Sequence, residues 1–245
     1  MVKILKQAGF HEIISIMQGI HGENPLQVIE MAGRTAYQSQ DKITEDSAAK
    51  FIKMIIKRGH FSVLEHSGLT VRFNDCSRGF THELVRHRLM AITQESTRYV
   101  DESDFLVVIP PYEYTDQSKV KLNLSGGGGN IEVSFQDWME LNEQMYRGLR
   151  ASGWPTEDAR QVLPIGIKSQ IVITTNFREW RHIFRMRCGK PAHWEIRRVM
   201  CNLLKEVQKL IPIVFDDFVL YEQDDIFQIP KSKETISYAV TEIPE

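Results

Sequence analysis

Leu69-Thr70-Val71-Arg72-Phe73-Asn74-Asp75-Cys76-Ser77-Arg78-Gly79-Phe80-Thr81-His82-Glu83-Leu84-Val85-Arg86-His87-Arg88 is the stretch on which the fold turns. Leu69, Val71 and Phe73 alternate with Thr70 and Arg72, the period of a strand with one buried face. Ser77 is a good helix N-cap, and the pattern predicts a short helix from there to about Arg88. Upstream, residues 2–6 and 11–17 read as strands. Asn24-Pro25 opens a helix, with Asn as cap and Pro at the first helical position, running to about residue 37. Thr44-Glu45-Asp46 opens another, with Ala48, Phe51, Ile52, Ile55 and Ile56 at helical spacing and Gly59 as its stop.

Downstream, residues 90–130 show little helical pattern. Pro110-Pro111 and the run from Gly126 to Gly129 suggest a long irregular segment containing a flexible surface loop. The Gly run lacks the Gly-Lys-Ser/Thr of a phosphate-binding loop. Helices are expected at 135–151 and 155–163, a β-branched strand at 168–175, and helices at 178–187 and 192–211. Strands and helices mix without a regular βαβ alternation, and no composition break or repeat marks a boundary. The expected fold is therefore α+β: a single mixed domain over 1–245, with a central sheet flanked by helices.

The 245 residues carry 30 Lys+Arg against 32 Asp+Glu, a formal net charge of −2. That balance disfavours a general nucleic-acid coat or a polybasic membrane binder. No run approaches the 18 or more apolar residues of a membrane span, and residues 1–7 lack the apolar stretch of a secretory signal. Cys76, Cys188 and Cys201 form no CxxC pair and fit a reducing compartment, so a cytoplasmic enzyme is expected.

The arginines are unevenly placed. Arg58, Arg72, Arg78, Arg86, Arg88 and Arg98 fall in a window without lysine. A second window, from Arg147 to Arg198, holds nine arginines and two lysines. Arginine suits planar, bidentate recognition of phosphate or carboxylate, whereas lysine is a solvated point charge. Ion pairs with Glu83, Glu95, Glu179 and Glu195 are expected to account for about half of these arginines. The rest point to one or more anionic ligands. Arg86-His87-Arg88, followed by Gln94-Glu95-Ser96-Thr97-Arg98-Tyr99, mixes cations, hydroxyls and an amide. That mixture can hold both a phosphate and a heterocycle edge.

These residues resemble a known family. Arg86-His87-Arg88, seven residues, then Ser96 is similar to the RHR-x7-S signature of flavin-dependent thymidylate synthases. His60-Phe61-Ser62-Val63-Leu64-Glu65-His66 resembles the family's His-x-Ser/Thr-x-x-Glu-His segment. Ala159-Arg160 to Leu163-Pro164 resembles A-R-x-x-L-P, and Asn176-Phe177-Arg178 resembles N-x-R. Arg187 followed by Ala192-His193-Trp194-Glu195-Ile196-Arg197 resembles Arg…A-Q-x-E-I-R. The blocks run in family order from about residue 57 to 200.

The resemblance implies reductive methylation of dUMP to dTMP. Methylenetetrahydrofolate gives the carbon, and FAD, recharged by NADPH, gives the reducing hydride. It implies a homotetramer whose active sites are shared among subunits. It places Ser62, Arg86, His87, Arg88, Gln94, Asn176, Arg178 and His182 at FAD. It places Glu83, Arg86, Gln94, Ser96, Thr97, Arg98, Arg160 and Arg187 at dUMP. Arg187 is the expected main catalytic residue, polarising the pyrimidine, and His60 is the second, near the flavin and folate in a positioning role. Glu83 stands where the family usually has Gln, His193 replaces another Gln, and His182 takes a place that is Asn in some members.

A metal site built on His60, Glu65 and His66 is not expected, because a second carboxylate and a HExxH pattern are missing. A Cys188 nucleophile beside Arg187 would suit a lowered thiol pKa, but the family does not need one. The rival reading from another class is a nucleic-acid module using residues 77–98 as a basic helix. The net charge and the shortage of lysine disfavour it. A flavoprotein oxidoreductase that does not methylate is the second rival.

Overall fold

The computed structural model describes residues 2–6, 8–110, 119–124, 129–219, 221–223 and 226–228. Strands β1 (Lys3–Lys6) and β2 (Phe10–Ile16) come first. Helix α1 (Pro25–Ala36) follows, and Asn24 caps it by accepting from the backbone N–H groups of Leu26 and Gln27. The Gln27 side chain bonds back to the Asn24 N–H, completing a capping box. Such a cap is worth about 1 kcal/mol relative to alanine. Helix α2 (Ser47–Lys57) buries Ala48, Phe51, Ile52 and Ile55, the stripe read from the sequence. Gly59 lies beyond its end at φ 73°, a conformation that favours glycine. A 3-10 helix, Phe61–His66, leads into strand β3 (Gly68–Ser77), where Leu69, Val71 and Phe73 are buried in alternation.

Ser77 caps α3 (Arg78–Leu84), accepting from the Phe80 N–H. The helix stops four residues short of Arg88, so Arg86-His87-Arg88 lies beyond it rather than in its last turn. Val85 already holds the C-cap position.

The stretch expected to be irregular contains four strands: β4 (Ala91–Gln94), β5 (Leu106–Ile109), β6 (Lys119–Leu124) and β7 (Gly129–Ser134). β6 and β7 pair antiparallel from Lys119↔Ser134 to Leu124↔Gly129. Gly126 to Gly128, most of the expected surface loop, lie outside the described residues, as do 111–118.

Helix α4 (Phe135–Ala151) matches its expected bounds. The helix expected at 155–163 is instead a single turn, α5 (Thr156–Ala159), followed by a 3-10 turn, Arg160–Val162. Strand β8 (Lys168–Asn176) alternates buried Ser169, Ile171, Ile173 and Thr175 with more exposed positions. Helices α6 (Phe177–Arg187), α7 (Trp194–Leu210) and α8 (Pro212–Phe215) and the short pair β9 (Tyr221–Gln223) and β10 (Ile226–Gln228) complete the order.

The largest sheet has the order β2-β3-β8-β4, and β1-β5, β6-β7 and β9-β10 form two-stranded sheets. The fold is mixed α/β, with the strands among the described residues distributed over four sheets. The chain divides into two compact units of interleaved segments. One holds residues 1–10, 73–85 and 93–171, and the other 11–72, 86–92 and 172–245. The division falls within all four strands of the largest sheet, β2, β3, β4 and β8.

The first unit packs Val2, Phe105, Val107, Ile109, Met139 and Ile167 into a core beneath the parallel β1-β5 pair. The second unit has an aromatic core. Trp180 stacks on Phe184 with centroids 5.5 Å apart, and Phe184 meets Phe215 edge-on at 5.6 Å. Burying each such ring stabilises the unit by on the order of 2–3 kcal/mol. Two glycines permit close approach in this unit. A Cβ on Gly68 would sit 2.2 Å from the Thr175 carbonyl oxygen, and one on Gly33 would strike the Phe51 ring at 2.6 Å. Among the described residues no helix is long and apolar enough to cross a membrane.

Candidate active site

The sequence-derived site residues fall into two groups, one in each unit. Glu83, Gln94, Ser96, Thr97, Arg98 and Arg160 belong to the first. His60, Ser62, Arg86, His87, Arg88, Asn176, Arg178, His182 and Arg187 belong to the second.

In the first unit, β4 delivers the chain to a turn at Ser96–Arg98. The Glu95 N–H donates to the Gln170 carbonyl on β8, which anchors the start of that turn. Gln94 Nε2 donates to Thr81 Oγ1 at 2.7 Å. Thr97 is buried and its hydroxyl accepts from Arg160 Nη1 at 3.3 Å, so these two dUMP candidates are brought together. Ser96 Oγ accepts from the Arg98 N–H at 3.3 Å. Arg98 aims Nε and Nη2 at Glu157 Oε2, at 3.1 and 3.0 Å. The fork expected to hold a phosphate is thus engaged by a carboxylate that the sequence did not flag. Glu83 is half-buried on α3.

Beneath this turn lies a charged layer. Arg78 Nη2 donates to the Glu95 carbonyl at 3.1 Å, and Lys168 Nζ pairs with Glu95 at 3.3 Å. Glu102 is only 7% exposed, and its Oε1 has no hydrogen-bond partner among the described residues. Burial, reinforced by the nearby Glu95 charge, pushes its carboxyl up to about 6.

In the second unit, the signature alternates. Arg86 and Arg88 are exposed, and His87 between them is 6% exposed. His87 Nε2 accepts a hydrogen bond from Arg187 Nε at 3.0 Å, while Nδ1 faces Glu179 Oε1 at 3.7 Å. The His182 ring meets the His87 ring edge-on at 5.4 Å. Burial first, then the charges of Arg187 and His182, lower the His87 pKa to about 4, so the ring is neutral. His87, Glu179 and His182 place ligand atoms within 4.8 Å of one another. The donor from Arg187 occupies the His87 Nε2 lone pair, and a guanidinium at that point repels a second cation.

Asn176 caps α6 by accepting from the Glu179 N–H. Arg178 pairs with Glu65 across the exposed surface. His60 and Ser62 are exposed at the 3-10 helix, and His60 Nδ1 lies 3.2 Å from the Tyr37 hydroxyl. Cys188, next to Arg187, is fully buried against Cys201, and burial raises its thiol well above the ordinary range. That is the opposite of an activated nucleophile.

The arginine excess is partly structural, as expected, and several of the partners are ones the sequence did not name. Arg34 pairs with Glu30, Arg72 with Glu12, Arg147 with Asp104 and Glu143, and Arg150 with Asp101. Arg181 is buried, pairs with Asp217 and lies over the Phe61 and Phe218 rings. Of the expected partners, Glu95 pairs with Lys168 and Glu179 faces His87. Glu157 and Tyr37 are the site neighbours that sequence reasoning did not place, and nothing in their local sequence signals them.

Exposed guanidinium groups and hydroxyls are side chains of the kind that suit phosphorylated ligands. Residues 17–213 match the family described as thymidylate synthase complementing protein. A flavin-dependent thymidylate synthase from Mycolicibacterium vanbaalenii is 38% identical over 197 residues, 78% of this chain and 78% of that protein. One from Mycobacterium avium is 36% identical over 197 residues, with the same coverage of both chains. Among solved structures, the UMP/dUMP methylase PolB from Streptomyces cacaoi, bound with 5-Br dUMP, shares the fold. Its TM-score is 0.67 at 20% identity, covering 88% of this chain and 96% of that one. This chain belongs to the flavin-dependent thymidylate synthase family.

Proposed function

We propose that the protein methylates C5 of dUMP: dUMP, methylenetetrahydrofolate, NADPH and a proton give dTMP, tetrahydrofolate and NADP+. The observation that carries this reading is the family match over residues 17–213, which contains every assigned site residue. FAD, when bound, supplies the reducing equivalents that turn the transferred methylene into a methyl group.

The donor set fits that cofactor. Arg86 and Arg88 are exposed guanidinium groups suited to a pyrophosphate, and Ser62, His182, Asn176 and Arg178 add neutral and charged donors. Gln94 contributes an amide to flavin or pyrimidine. Ser96, Thr97, Arg98 and Arg160 bind the dUMP phosphate, and Glu83 orients the ribose or a neighbouring arginine. Arg187 sits at the pyrimidine edge and stabilises the negative charge that develops on N3 and O2, which makes C5 nucleophilic. His60 positions the reactants. The whole chain acts as one catalytic domain in the cytoplasm, and a homotetramer completes each active site with residues from several subunits.

The visible spectrum of the purified protein tests the cofactor assignment. Flavin retained after FAD incubation and desalting, bleached anaerobically by NADPH, is the expected result. Failure to retain flavin would mean that these arginines serve another anion, and binding of random oligonucleotide would then revive the nucleic-acid reading. Retained, NADPH-bleached flavin in a protein that binds no dUMP would favour a non-methylating oxidoreductase.

A further inference from the structure

Arg187 is a long side chain at the end of α6, and a guanidinium that must meet a pyrimidine edge needs its orientation fixed. Its Nε donates to His87 Nε2 at 3.0 Å. A donor can be accepted there only if Nε2 carries a lone pair. The ring must then be neutral, with its proton on Nδ1. Nδ1 faces the Glu179 carboxylate at 3.7 Å, which favours the proton on that side. Glu179 is itself buried in the first turn of the helix that ends at Arg187, its N–H held by Asn176.

The ring is nearly enclosed and both nitrogens face protein groups, unlike Arg86 and Arg88 on either side. A direct cofactor contact is therefore a poor use of this histidine, although the signature places it among FAD residues. We propose that His87, with its tautomer set by Glu179, is a positioning residue that aims the Arg187 guanidinium through Nε.

Using Nε as the anchor has a chemical consequence. A guanidinium anchored at Nε has its two Nη groups fixed in one plane, the geometry that suits planar recognition of a uracil edge. A lysine could not be fixed in this way. The inference rests on Arg187 acting at the pyrimidine, and the two ideas fail differently.

The test measures dTMP formation, the KM for dUMP and flavin content in the assembled, FAD-loaded enzyme. The variants are His87→Ala, His87→Gln, Glu179→Gln, Arg187→Ala and the double variant H87A/R187A. His87→Ala is expected to lower kcat about 10- to 100-fold, as losing one charge-assisted hydrogen bond allows. Flavin content should stay within about twofold. His87→Gln, which retains an acceptor oxygen, should recover much of the loss. Adding H87A to R187A should cost nothing further, because a positioning residue has nothing left to position.

If Arg187→Ala keeps full activity, the role of Arg187 is wrong. If Arg187→Ala is inactive while His87→Ala is normal, only the positioning inference fails. Flavin lost in proportion to activity in His87→Ala would make His87 a cofactor contact and overturn the inference. A folding failure of the alanine variant leaves a wild-type readout. 15N NMR of the histidine-labelled holoenzyme should show His87 protonated at Nδ1 and bare at Nε2, and the opposite tautomer would overturn the inference.

Discussion

Arg98 points two nitrogens at a single oxygen of Glu157, with Nε at 3.1 Å and Nη2 at 3.0 Å, across 59 positions of sequence. Both side chains are about half exposed. The arrangement holds the guanidinium extended from the Ser96–Arg98 turn, and a phosphate would compete with a carboxylate for the same fork.

Two substitutions separate those roles. Arg98→Ala removes a charged donor pair and should raise the KM for dUMP by about 10- to 100-fold, with flavin content unchanged. Glu157→Gln keeps the shape and removes the competing charge, so the KM for dUMP should fall about two- to fivefold. Steady-state kinetics at fixed ionic strength check both, and a higher KM in Glu157→Gln would mean that the carboxylate orients the arginine rather than competing for it.

The buried His87 makes stability depend on pH. Its folded pKa of about 4 lies below the ordinary 6.5, because of burial and then the Arg187 and His182 charges. Between those values the unfolded chain binds a proton that the folded one refuses, so stability falls as pH drops from 6.5 towards 4. Urea midpoints at pH 7 and pH 5 measure this, and His87→Gln should flatten the dependence.

Glu102 acts in the opposite sense. Its carboxyl is pushed up to about 6 from 4.5, by burial and then Glu95, against the opposing pull of Arg78 and Lys168. The folded state holds the extra proton between 4.5 and 6, so this contribution to stability is lost as pH rises through that window. Glu102→Gln should therefore raise the urea midpoint at pH 7 and steepen the acid-side loss caused by His87. An unchanged midpoint would mean that water or a ligand already satisfies the carboxylate.

Gly68→Ala should destabilise the second unit by about 1–3 kcal/mol or more, since its Cβ would meet a backbone oxygen that cannot swing away. Gly153→Ala, at φ 89° with open space around it, should cost less, because it adds only local backbone strain. Thermal melts of the two variants side by side decide the order.

Much of this was legible in the chain itself, for physical reasons that differ by element. Helix α4 and strand β8 announce themselves through periodicity and the punctuation around them, which act locally. Strands β6 and β7 do carry an alternating pattern, Val120 and Leu122 pairing with Val133 and Ile131, but the prolines and the glycine run around them made the whole stretch read as irregular. The end of α3 at Leu84 escaped because Val85 to Arg88 carry helix-compatible residues, and tertiary context overrides propensity there. The signature arginines were visible as a composition anomaly. Their partners were not: His87 and Arg187 are 100 positions apart, and only the fold brings Nε to Nε2.

Turnover of dUMP with methylenetetrahydrofolate and NADPH, measured with and without FAD on the stripped protein, goes to the centre of this account. It requires dTMP and tetrahydrofolate in equal amounts with FAD present, and no dTMP without it. Formation of dTMP at full rate in the flavin-free protein would contradict it, as would a flavin-loaded protein that consumes NADPH and makes no dTMP.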